Sequence, residues 1–149
     1  MCIIIDANVA SKVFAVPYLP DYIPLWKWIQ DRDGKIVCGG KLREELEKIT
    51  HVNRLLKQLF RAGKALQPQL SDVDQKQKEV EKAGLCKSND HHVIALALVS
   101  GARTLCTEDS NLEQDFKNPA LISNPRGSIY KNADHAHLLK HTPGCIGRN

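Results

Sequence analysis

Four carboxylates recur at one kind of place in this chain. Asp6 and Asp109 follow apolar runs that read as strands, Glu45 lies early in the helical pattern after a second such run, and Asp90 stands directly before a buried-type helix. If those ends converge, the cleft between them holds like charges that cannot all stay ionised without a cation. Carboxylate oxygens with several retained waters suit Mg²⁺ or Mn²⁺ rather than zinc.

Each acid also has a simpler use. Asp90 and Asp109 precede helices, where a carboxylate can cap free N–H groups and oppose the macrodipole. Glu45 could pair with Lys41 or Lys48, and Glu44 competes for its place. The two neighbours point about 100° apart on a helix, so only one can aim inward; Glu45, directly before Leu46, is the choice. Asp6 is the hardest to explain away, because a carboxylate that ends a buried strand needs a specific partner. Glu108 and Asp115 add carboxylates near Asp109. His91 and His92 follow Asp90 but diverge on a helix, and His135, His137 and His141 match no standard zinc spacing, so none is assigned as a ligand.

The elements that must position these residues follow from periodicity. Ile3, Ile4 and Ile5 are consecutive β-branched residues without polar alternation, as in a parallel strand covered on both faces. Val9 to Val16 is weakly helical; Pro17, Pro20 and Pro24 then lead into a short helix over Leu25 to Ile29 that ends before Asp33-Gly34. Lys35 to Cys38 reads as the second strand. From Lys41 a helical pattern runs through Leu42, Leu46, Ile49, Leu55, Leu56, Leu59 and Phe60, with a break between Thr50 and Val52. Gly63 to Leu70 is a connector with room for a short strand, and Asp72 to Ala83 is a charged surface helix stopped by Gly84.

Ser88-Asn89-Asp90 caps His91 to Ser100, which should be buried against the sheet. Arg103 to Thr107 is the next strand and Asn111 to Phe116 a short helix. Ala120 to Ser123 reads as a final buried strand, and Pro125 to Tyr130 as an added edge strand. This alternation predicts a three-layer α/β/α domain around a central twisted parallel sheet, with the ligand crevice at the carboxyl ends of the strands. The domain is expected over residues 1–134 and a loosely held tail over 135–149.

At 149 residues, with 42% hydrophobic and 26% charged content, the chain fits one ordered domain with a real core. Five cysteines without CxxC spacing (Cys2, Cys38, Cys86, Cys106 and Cys145) read as reduced, packed thiols of a cytoplasmic protein. No segment approaches a membrane span, and no signal-like core opens the chain. The net charge of +4 permits a polyanionic partner. Basic residues are concentrated at Lys41, Arg43, Lys48, Arg54, Lys57, Arg61 and Lys64, a solvated helix face or a surface that tracks phosphates. Trp26, Trp28 and Tyr18 read as core or dimer contacts rather than base-stacking groups.

Asp6-Ala7-Asn8 after a hydrophobic strand, Glu45-Leu46 in a helix, Asn89-Asp90-His91-His92-Val93-Ile94-Ala95-Leu96-Ala97-Leu98, and Leu105-Cys106-Thr107-Glu108-Asp109 followed by Leu112 resemble the PIN-domain nucleases. The resemblance runs from Met1 to about Ile122. It implies an acidic pocket with Mg²⁺ or Mn²⁺ and hydrolysis of RNA phosphodiester bonds. By position, Asp6, Glu45, Asp90 and Asp109 match the family's acidic set; Asn8 and Thr107 match supporting polar positions. Asp6, Asp90 and Asp109 would hold the metal, with Glu45 bound directly or through water.

A small chain of this kind resembles VapC-type toxins, which implies an antitoxin partner over the acidic pocket, and homodimerisation through the first helices. A housekeeping RNA-processing nuclease fits the same residues. Two other classes compete: an RNA-binding or regulatory module whose pocket holds metal too weakly to catalyse, and a receiver-like protein with Asp6 as phosphoacceptor. The second lacks an acidic pair before Asp6 and a Lys at a later strand end.

Overall fold

The computed structural model describes residues 1–141 and 144–146. Five parallel strands form one sheet: β1 (Cys2–Ile5), β2 (Lys35–Val37), β3 (Ala65–Leu66), β4 (Thr104–Cys106) and β5 (Ser128–Ile129), in the order β3-β2-β1-β4-β5. Ile3 pairs with Ile36 on one side of β1, and Ile4 and Ile5 with Leu105 and Cys106 on the other. The α/β fold with a parallel sheet expected from the alternating elements is therefore present. All four residues of β1 are buried, and each isoleucine so placed contributes about 1.5–3 kcal/mol of apolar burial.

Among the described residues, seven α-helices connect and cover the strands: α1 (Ala7–Val13), α2 (Ile23–Asp31), α3 (Gly40–Glu47), α4 (Thr50–Arg61), α5 (Leu70–Ala83), α6 (His91–Ser100) and α7 (Ser110–Lys117). The α6 segment is buried along most of its length, as its sequence requires. It packs on α5 and α3, and α3 packs on α4 and α1. The break in the long helical pattern falls at Lys48-Ile49, just before the expected Thr50 to Val52. Ile49 adopts an extended backbone there, a conformation that suits a β-branched residue. Gly84 closes α5 in the left-handed conformation, at no Cβ cost. Gly40, the first residue of α3 at the turn from β2, also takes the left-handed conformation, with φ +57°.

Two expectations are corrected. Ala120 to Ser123 is not a strand: the N–H groups of Leu121 and Ile122 donate to the Asn118 carbonyl at 2.9 Å, and Ala120 N to the Asn118 side chain at 3.0 Å. Local turns thus consume the donors a sheet ladder would need. The outer strand is β5, inside the Pro125 to Tyr130 segment.

Cys2 is joined to Cys145 in a disulfide, while Cys38, Cys86 and Cys106 are free. The pairing spans 143 residues and follows from the docking of the C-terminal segment, where Ile146 N donates to the Ser100 carbonyl at 2.9 Å. No spacing rule could disclose it. Ala133–His141, at the start of the expected tail, forms a 3-10 helix packed against α2, with Leu139 buried. Residues 142–143 and 147–149 of that expected tail lie outside the described residues.

Gly127 is buried where α7 meets β5. A Cβ there would lie against the Phe116 carbonyl oxygen and 2.6 Å from Cδ1 of its ring. Gly127→Ala is expected to lower stability by about 2–3 kcal/mol in urea unfolding; unchanged stability would refute the close approach of α7 to β5.

Candidate active site

The strand order reverses between β1 and β4, the place where open α/β sheets form a crevice at the carboxyl strand ends. Asp6 leaves β1 there, with its N–H donating to the Cys106 carbonyl of β4 at 2.9 Å. Its residue exposure is only 5%. One carboxylate oxygen accepts from Ala7 N at 2.8 Å, capping α1, and the other accepts from the Thr107 hydroxyl at 2.8 Å. Thr107 Oγ1 in turn accepts from Asn8 Nδ2 at 3.3 Å and from Asp109 N at 3.1 Å. The Asn8 Oδ1 accepts from Glu108 N at 3.2 Å. Asn8 and Thr107 are thus locked to each other and, through Thr107, to Asp6.

The structure brings three of the four acids into one another's field. Burial raises Asp6 above the usual carboxylate range, and the charges of Asp90 and Glu45 raise it further against the lowering effect of the Thr107 and Ala7 hydrogen bonds. Glu45 is also raised, by burial first and then by Asp90, with Lys41 and Lys48 opposing. Glu44, by contrast, is exposed, whereas Glu45 is half-buried.

Asp90 and Asp109 part company. Asp109 Oδ1 accepts from Asn111 N at 2.9 Å and Leu112 N at 3.3 Å, so it caps α7; it is not among the charges that act on Asp6 or Glu45. Asp90 occupies the corresponding position before α6 and makes no side-chain cap. Its backbone is held instead: Asp90 N donates to Ser88 Oγ at 3.3 Å, and Asp115 accepts from Lys87 N, Ser88 N and Ser88 Oγ. Asp115 is therefore a buried anchor for the loop that presents Asp90.

Sequence reasoning passed over His92. Its ring is 4% exposed as a residue, and Nε2 lies 3.0 Å from Glu45 Oε1. That separation would suit an ion pair, but burial holds the imidazole below its usual range despite the nearby Asp90 and Asp6 charges, so the ring is neutral at pH 7. Nor do the two atoms form a hydrogen bond: both are buried and without a hydrogen-bond partner. Adjacent residues do diverge on a helix, as expected for His91 and His92, and His92 is the one that turns inward.

Among the described residues no three of His, Cys, Asp or Glu stand together in an arrangement that holds a metal ion. The charges of Asp90 and Glu45 act on Asp6 and that of Asp90 on Glu45, and two buried atoms, Glu45 Oε1 and His92 Nε2, lack hydrogen-bond partners. Repulsion of this kind makes stability depend on pH. A carboxyl raised on folding stabilises fully below its unfolded pKa and loses that contribution as pH rises through its folded value. Metal-free Asp6→Asn protein is therefore expected to gain on wild type in melting temperature as pH rises from about 4 to neutrality. A constant difference across thermal melts would refute the repulsion.

No family model and no curated protein matches the chain. A chain of the crystal structure of FitAcB from Neisseria gonorrhoeae is similar at 17% identity and a TM-score of 0.37, over 73% of this chain and 88% of that one.

Proposed function

We propose that this protein is a divalent-metal-dependent endoribonuclease of the PIN type. One observation supports the reading: the charges of Asp90, before α6, and of Glu45, on α3, act on Asp6 where it leaves β1 at the strand-order reversal. The ordered resemblance of the sequence motifs supports it. Asp6, Glu45 and Asp90 would hold the cation, which when bound supplies a water of lowered pKa and neutralises charge on the phosphate. Thr107 fixes the carboxylate plane of Asp6, and Asn8 holds Thr107 in turn. Asp109 caps α7 through Oδ1 and donates its N–H to Thr107.

Substrate would approach over α4, where Arg54, Lys57 and Arg61 are exposed and share one helical face by their spacing. Arg43 and Lys64 drop out of the basic set. Arg43 is bound to Glu47 and Gln67 and lies over the Phe60 ring, and Lys64 donates to the Arg32 carbonyl. The toxin role, with an antitoxin covering the hollow, is the biological setting that the resemblance supplies.

The test is an assay of purified protein on unstructured and structured RNA with Mg²⁺, Mn²⁺ or chelator. Cleavage of unstructured RNA that requires Mn²⁺ or Mg²⁺ is expected, weakened at higher salt and by the triple change of Arg54, Lys57 and Arg61 to alanine. Cleavage that persists in chelator would overturn the metal mechanism. RNA binding without turnover in Mn²⁺ would place the protein among RNA-binding modules instead.

A further inference from the structure

We propose that the Cys2–Cys145 disulfide is a redox-sensitive clasp: a dithiol reductant opens it in the folded protein, releases residues 144–146, and leaves the rest of the domain folded but less heat-stable. The bridge joins the first residue of β1 to a segment 143 residues on, and its two sulfurs differ in access. Cys2 is fully buried, whereas Cys145 is partly exposed between two exposed neighbours, Gly144 and Ile146. Beyond the bridge, the segment is tied by the Ile146 N–H, which donates to the Ser100 carbonyl at 2.9 Å. The Ile146 side chain is 71% exposed, so it adds little apolar burial to hold the segment down. Cys2 opens β1 and Asp6 follows its end, while Ser100 ends α6 and Asp90 precedes its start. The clasp therefore sits at the opposite ends of both elements from the hollow, and its opening leaves the acids in place.

Access fixes the course of the reaction. A thiolate of the reductant attacks the Cys145 sulfur; a mixed disulfide forms as the original S–S bond breaks, and the electron pair leaves on Cys2, which takes a proton. The second thiol of the reductant then attacks the reductant's sulfur in that mixed disulfide, and Cys145 leaves as a thiolate that takes the second proton. Two electrons and two protons have passed from the dithiol, which becomes a disulfide. A monothiol stalls after the first stage, because Cys2 is expelled into apolar surroundings that disfavour its thiolate and stands ready to attack back. Opening also frees a loop of 143 residues in the unfolded chain, whose gain in entropy lowers the stability of the fold.

The test compares the oxidised full chain with the same protein in dithiothreitol or reduced glutathione, and with Cys145→Ser. Peptide maps of the unreduced chain should show Cys2 bridged to Cys145. Dithiothreitol should open Cys145, and not Cys2, to alkylation under native conditions, speed hydrogen exchange at Ile146 N about tenfold or more, and lower the melting temperature by about 5–15 °C. Glutathione at equal thiol concentration should act about tenfold more slowly or worse. Cys145→Ser should melt where reduced wild type melts and be indifferent to dithiothreitol; should that variant not fold, reduced wild type decides. Maps without the bridge, a melting temperature unchanged on reduction, equal rates with the two reductants, or Cys2 alkylated along with Cys145 would each overturn the clasp.

Discussion

Asp6→Asn is expected to lower Mn²⁺-dependent RNA cleavage by about a thousandfold or more, equivalent to about 4 kcal/mol of transition-state stabilisation, while the protein stays folded. The two halves of that result come from different properties of the same side chain. Asparagine keeps an oxygen to accept from Ala7 N and is close in size, so the cap on α1 and the contact with Thr107 survive in shape. What it removes is a negative charge from a hollow where Asp90 and Glu45 already oppose it. Without a cation that removal relieves repulsion; with a cation it takes away a ligand. Steady-state cleavage rates, paired with thermal melts with and without Mn²⁺, separate the two. Mn²⁺ should raise the melting temperature of wild type and leave that of the variant nearly unchanged. Retained cleavage in Asp6→Asn would remove Asp6 from the reacting site.

The second large effect is structural and lies away from the hollow. Asp115, only 2% exposed, accepts from Lys87 N at 2.8 Å, Ser88 N at 2.9 Å and Ser88 Oγ at 2.8 Å. Asp115→Ala strands all three donors and is expected to cost about 3–4 kcal/mol in urea unfolding. Asp115→Asn, which keeps one acceptor, should cost roughly half as much. Because Ser88 Oγ also receives Asp90 N, loss of the anchor frees the loop that presents Asp90. Mn²⁺ affinity should then fall in Asp115→Asn even where the fold persists. A cost below about 1 kcal/mol for the alanine variant would show that the loop is held by other contacts.

Local pattern made much of this architecture legible. The unbroken isoleucines of β1, the apolar circumference of α6 and the glycine after α5 each follow from short-range chemistry, and each appears where its residues lie. A carboxylate directly after a buried strand also announced itself, since nothing ordinary explains it. The failures share a cause. Whether an acid before a helix caps that helix depends on the side-chain rotamer and on what else the cleft contains. Asp109 and Asp90 look alike in sequence, yet one caps α7 and the other leaves α6 uncapped.

Ala120 to Ser123 carried strand composition but lost its donors to Asn118. Asp115 looked like a surplus acid and proved to be the brace of the Asp90 loop.

The amino-acid sequence by itself determined most of the segments that become strands and helices, that the sheet is parallel, and that Asp6 directly follows its first strand, because hydrophobic period and turn chemistry act over a few residues. Only the tertiary structure decided which acids meet, which helix face His92 turns toward Glu45, and that Cys2 is joined to Cys145. Those outcomes depend on side chains tens of residues apart arriving within about 3 Å of one another, and no local periodicity records that arrival.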